Sequence, residues 1–148
     1  MDVTTALRNN YVFRGVPLSA VNLLAATADL RTMHGGETIV RQFERGKDLF
    51  ILLEGEAVTR NFHGEVIARF GPGSMIGEMA LVDGAPRSAN VVTVGECQVA
   101  KIPYDAIEGL VAADAEAGKT LYHNISKVLS RRLRSMNDQS DDTPAGSR

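Results

Sequence analysis

Cysteine is almost missing from this 148-residue sequence, in which Cys97 stands alone. An internal disulfide is therefore excluded, and a reducing compartment fits. Long apolar runs are missing as well. None approaches the ~20 residues that cross a bilayer, and the N-terminus has no apolar signal-peptide core, so no membrane insertion and a cytoplasmic location are expected. Positive charge is in no excess: 16 Lys and Arg stand against 18 Asp and Glu, the net charge is −2 and the pI about 5.9. No global basic field draws the chain to nucleic acid or an anionic membrane. His34, His63 and His123 are dispersed, without the short spacings that make a metal site, and no metal or cofactor is expected. No paired acid and base or activated nucleophile is legible, so the chain does not read as an enzyme.

What is present is an ordinary globular composition, 44% hydrophobic and 23% charged, in one domain's length of chain. Residues 1–11 read as a loose or marginally helical lead-in. Val21, Leu24, Ala25 and Ala28 lie close to helical spacing behind Pro17, with Ser19 as N-cap, and predict a helix over 19–28. From Leu30 to Ile102 glycines punctuate short β-type runs at 37–42, 49–53, 57–62, 65–70, 89–94 and 97–102. Asn61-Phe62-His63-Gly64 reads as a hairpin turn. After Pro103 the pattern becomes helical again, over 104–111 and 114–136. The second of these carries an apolar stripe of Leu121, Tyr122, Ile125, Val128, Leu129, Leu133 and Met136. Residues 137–148 read as a disordered tail. The expected fold is α+β and mainly β: an antiparallel β-roll or jelly roll with a short N-terminal helix and two C-terminal helices.

One stretch combines unusual chemistry: Gly77-Glu78-Met79-Ala80-Leu81-Val82-Asp83-Gly84-Ala85-Pro86-Arg87-Ser88-Ala89. A helical turn beginning at Glu78 aims free backbone N–H groups at an anion. Arg87 adds a planar fork for phosphate oxygens, and Ser88 a further N–H and hydroxyl. Glu78 repels a phosphate but suits a sugar hydroxyl as acceptor, as acidic residues do in dinucleotide sites. The glycines upstream, at 71, 73 and 77, are spaced one residue too long for a dinucleotide fingerprint, and no Gly-Lys-Ser/Thr follows for a P-loop. Elsewhere, Cys97 reads as a small buried residue. The basic group Lys127, Arg131, Arg132 and Arg134 reads as favourable placement near a helix C-terminus, and Asn124-Ile125-Ser126 as a chance glycosylation match.

The stretch resembles the phosphate-binding cassette of cyclic nucleotide-binding domains, with Gly77-Glu78-Met79-Ala80-Leu81 and Pro86-Arg87-Ser88-Ala89 filling the positions that pattern fixes. Residues 46–57, Gly-Lys-Asp-Leu-Phe-Ile-Leu-Leu-Glu-Gly-Glu-Ala, extend the resemblance, which covers about residues 12–136. It implies a cyclic nucleotide-binding set of Gly77, Glu78, Met79, Ala80, Arg87, Ser88 and Ala89. Side chains near Met79, Leu81 and Val91 are expected in the core more than against a base. It also implies a C-terminal helix that can pair with a second subunit or cover the base, with Leu133, Met136 and Asn137 placed as a lid. The ligand implied is a cyclic nucleotide, with cAMP favoured over cGMP since Ser88 matches the bacterial activators. The implied function is a regulatory domain that moves its C-terminal helix on binding, controlling an effector domain on the same chain or a partner. The alternative is a domain of this fold that binds no nucleotide and serves assembly. Direct DNA binding is not expected, because no helix-turn-helix follows.

Overall fold

The computed structural model describes residues 1–141, with side chains described as far as Asn137. The chain opens with a defined helix, α1 (Val3–Asn9), where the lead-in was expected to be loose or marginally helical. Asp2 makes the difference: its Oδ1 accepts the Thr5 N–H at 2.7 Å, and Ala6 and Leu7 are buried beneath. A 3-10 turn follows (Tyr11–Phe13), then helix α2 (Leu18–Ala26). Pro17 stands at the α2 N-cap, and Ser19 lies within the first turn instead of capping it.

Six strands follow: β1 (Asp29–Met33), β2 (Thr38–Val40), β3 (Leu49–Arg60), β4 (Val66–Phe70), β5 (Met75–Ile76) and β6 (Val91–Ile102). Helix α3 (Met79–Asp83) sits between β5 and β6; α4 (Tyr104–Ala113) and α5 (Ala115–Asp141) end the described chain. All pairings are antiparallel, in the order β1-β6-β3-β4, with β2 against β6 and β5 against β3. The result is the expected β-roll with helices gathered at one side.

β3 and β6 are its spine, paired from Leu49↔Ile102 to Thr59↔Val91. In sequence each looks like two short strands divided by a glycine. In the fold Gly55 (φ +96°) and Gly95 (φ +70°) are carried inside continuous strands, with register shifts either side of Glu54. A glycine at positive φ admits a local bulge without ending the ladder. Gly55 has no alternative, since a Cβ there would sit 2.7 Å from Cys97 Sγ and 2.6 Å from the Glu96 carbonyl oxygen.

Alternation along these strands builds two cores. Leu49, Ile51, Leu53 and Ile102 face the helices and pack with Leu7, Val12, Phe13, Leu24, Ile107, Leu121 and Ile125. Leu52, Val99, Cys97 and Ala57 face the roll interior with Ile39, Val40, Ile76 and Val91. Cys97 is 1% exposed, as expected of a small core residue. At the other end, α5 continues through Asn137 to Asp141, into the segment expected to be a tail. No Gly or Pro interrupts residues 137–141, so the helical ladder carries on. Residues 142–148 lie outside the described residues. No described helix is long and apolar enough to cross a membrane.

Candidate functional site

β5 delivers the chain to Gly77, whose φ of +93° turns it into α3. Gly84, left-handed at φ +62°, ends that helix, and Asp83 Oδ1 accepts the Ala85 N–H at 2.8 Å to tighten the exit. Pro86 and Arg87 then run back alongside the loop before β3. Arg87 N–H donates to the Glu44 carbonyl at 2.8 Å, and its own carbonyl accepts Phe43 N–H at 2.8 Å. The Arg87 backbone is thus clamped on both sides.

Its guanidinium is clamped as well. Nη1 donates to the Gly77 carbonyl at 3.0 Å and Nη2 to the Asp48 carbonyl at 2.8 Å, with the residue 9% exposed. Burial draws its pKa below the ordinary value, while the carboxylates of Asp48, Glu44 and Glu78 draw it back up. An arginine remains charged through such a shift. Gly77 is required here for space as well as for φ: a Cβ would collide with Arg87 Nη1 and lie 3.2 Å from the Asp48 carbonyl oxygen.

Glu78 stands across from this arginine at the start of α3 and is 6% exposed. Tyr11 donates its hydroxyl to Glu78 Oε1 at 2.9 Å, and Arg132 Nη2 of α5 lies 3.7 Å from the same oxygen. Burial first, then the Glu78 charge and hydrogen bond, pushes the Tyr11 phenol pKa well up, so it stays a protonated donor across the physiological range. In the first turn of α3 the Leu81 N–H donates to the Glu78 carbonyl at 3.2 Å.

Arg87, Glu78 and Arg132 line a cavity of about 480 Å³, the size range of small-molecule sites. Gly77, Glu78, Met79, Ala80, Arg87, Ser88 and Ala89 all line it, so the structure brings the seven cassette residues together. Met79, which read as core, is 38% exposed and meets Arg132 Nη1 through its Sδ at 3.9 Å. Leu81 and Val91 are buried as expected. Leu133, Met136 and Asn137 fall elsewhere. Leu133 and Met136 are 60% and 65% exposed, and none of the three lines the cavity; α5 contributes Arg132.

Arg132 and Tyr11 are the residues that sequence reasoning missed. Arg132 sat in a basic cluster that read as placement near a helix C-terminus, whereas α5 runs on to Asp141 with no basic residue in its last turn. Tyr11 lies 67 positions from its partner, a distance no periodicity encodes. Nor does Asn124 stand free for glycosylation, since its amide donates to the Val12 and Arg14 carbonyls at 2.9 and 2.7 Å.

A buried arginine and a buried carboxylate facing one cavity in a β-roll point to a class of protein. The family model for the cyclic nucleotide-binding domain matches residues 30–114, and the chain belongs to that family. The cAMP-dependent protein kinase regulatory subunit of Mycosarcoma maydis is 34% identical over 82 residues, 53% of this chain and 16% of that protein. The Pycsar effector protein XpPycTIR of Xanthomonas perforans is 30% identical over 115 residues, 77% of this chain and 36% of that protein. The chain thus spans well under two thirds of either relative. The structure of the catabolite activator protein of Thermus thermophilus superposes with a TM-score of 0.73 at 26% identity, covering 89% of this chain and 62% of that one.

Proposed function

We propose that this chain is a regulatory domain that binds a 3′,5′-cyclic nucleotide, cAMP in preference to cGMP. One observation carries the reading: Arg87 and Glu78, nine positions apart, are both buried and both reach the same cavity. Phosphate oxygens are received by Arg87, whose guanidinium is already oriented by two backbone carbonyls, together with the amides of Ala80 and Ser88. A ribose hydroxyl donates to Glu78. Met79 and Ala89 complete the wall. The serine at 88 and the similarity to a cAMP-dependent protein kinase regulatory subunit favour cAMP. Binding is converted into movement of α5, which touches the site through Arg132, and the consequence is felt by an effector domain on a longer chain or a partner. Leu133, Met136 and Asn137 come over the base in that movement. The exposed part of α5 also offers a surface for a second copy of the chain.

The test is calorimetric titration of the purified domain with cAMP and then cGMP, beside Arg87→Ala. Tight binding of cAMP, weaker binding of cGMP and a loss of about two orders of magnitude in the mutant are expected. Equal affinity in Arg87→Ala would overturn the site. Absence of heat with either nucleotide, in protein free of carried-over ligand, would favour the assembly role.

A further inference from the structure

Glu78 divides two spaces. On one side is the 480 Å³ cavity described above; on the other is a second cleft of about 500 Å³, lined by Asn10, Tyr11, Gly73, Ser74 and Arg132 among others. Tyr11 lines only the second. Its hydroxyl therefore reaches the Glu78 carboxylate from behind and occupies none of the room open to a ligand.

The tyrosine is itself held from several directions. Asn10 Oδ1 accepts the Val12 N–H at 3.0 Å, and Asn10 Nδ2 donates to the Gly73 carbonyl at 3.0 Å, fastening the 3-10 turn to the turn that precedes β5. Asn124 of α5 grips the carbonyls of Val12 and Arg14, while Val12 and Phe13 are 0% and 2% exposed. A hydroxyl on so constrained a turn is a fixed donor. Arg132, the other group at Glu78 Oε1, is different: its side chain is 56% exposed and its nitrogen stands at 3.7 Å. A carboxylate accepts at about four lone-pair positions, so one hydrogen bond from behind leaves capacity toward the cavity.

We propose that Tyr11 is the positioning residue of the ribose site: its hydroxyl fixes the Glu78 carboxylate and so sets how strongly the chain demands a 2′-hydroxyl on its nucleotide. The inference rests on Glu78 being the ribose acceptor. It makes the N-terminal turn, outside the span of the family model, part of ligand discrimination.

The experiment compares the affinities of cAMP and 2′-deoxy-cAMP in four proteins: wild type, Tyr11→Phe, Tyr11→Leu and Glu78→Gln. The readout is the ratio of the two dissociation constants, which a general loss of stability does not alter. Wild type is expected to favour cAMP by about tenfold or more, and Glu78→Gln to lose most of that preference. Tyr11→Phe, which keeps the ring, is expected to cut the ratio by about threefold or more, almost entirely through weaker cAMP binding. Tyr11→Leu should give the same ratio and serves if the phenylalanine variant does not fold. A ratio unchanged in both Tyr11 variants while Glu78→Gln abolishes it overturns the role of Tyr11 and leaves the ribose reading standing. Equal weakening of both nucleotides in the Tyr11 variants also overturns it. A wild-type ratio near one overturns the ribose assignment itself, and the inference with it.

Discussion

The two ends of the cavity are held by opposite strategies. At the end proposed for the phosphate, Arg87 is fixed by main chain: the Gly77 and Asp48 carbonyls orient its fork, and the loop at Phe43 and Glu44 clamps its backbone. At the end proposed for the ribose, Glu78 is held by side chains that arrive from the two ends of the described chain, Tyr11 and Arg132. Backbone carbonyls cannot be mutated away, but their close approach to the guanidinium leaves room only for glycine at 77. Side-chain partners can be exchanged singly, so sugar recognition is the end that can be tuned. The family resemblance covers the first strategy and is silent on the second.

Breaking the phosphate end has the largest expected effect. Arg87→Ala removes about 2–3 kcal/mol of charge-assisted contact, the two orders of magnitude expected in the titration. Arg87→Lys keeps the charge but not the fork that spans two carbonyls, and should recover only part of that loss. Gly77→Ala comes next. Positive φ and collision with Arg87 together should cost about 1–3 kcal/mol of stability, read by chemical unfolding, with nucleotide affinity falling as the arginine is displaced. Asp48→Ala separates a side chain from its own backbone. The lost carboxylate no longer accepts the Tyr104 N–H, 2.8 Å away at the start of α4, which should cost about 1 kcal/mol. The carbonyl still holds Arg87, so affinity should change little. Arg132→Ala is the smallest: a half-exposed partner at 3.7 Å should leave stability within about 0.5 kcal/mol. A loss of cAMP affinity in Arg132→Ala as large as that in Arg87→Ala would reverse the ranking of the two ends.

How legible the chain was follows the same division. The cassette is local, so its residue types and spacing state their chemistry without the fold. Residues 77–80 and 87–89 were read from sequence and stand around one cavity. The roll was legible because its glycines punctuate it, but punctuation also misled. Gly55 and Gly95 bend strands without ending them, and so β3 and β6 looked like four short segments. β1 escaped notice because its burial has no alternation: Asp29 to Thr32 are all exposed, and its place comes from pairing with β6. α1 was underestimated although its Asp2 cap was in plain sight, because seven residues are too few for a convincing periodicity. Tyr11 and Arg132 were invisible for a deeper reason. Each is unremarkable in its own segment and gains its meaning only where three distant pieces of chain meet.

Gly77 and Arg87 also constrain the history open to this chain. A side chain at 77 and a guanidinium at 87 claim the same volume, so neither position can change freely while the other stays. A lineage that lost the arginine would free space at position 77, while its φ of +93° still disfavoured a side chain. An alanine accepted there despite that strain would bar the arginine from returning in one step. The route out of phosphate binding is short and the route back needs two substitutions in a fixed order. The gap between a glycine and an arginine thus works as a ratchet.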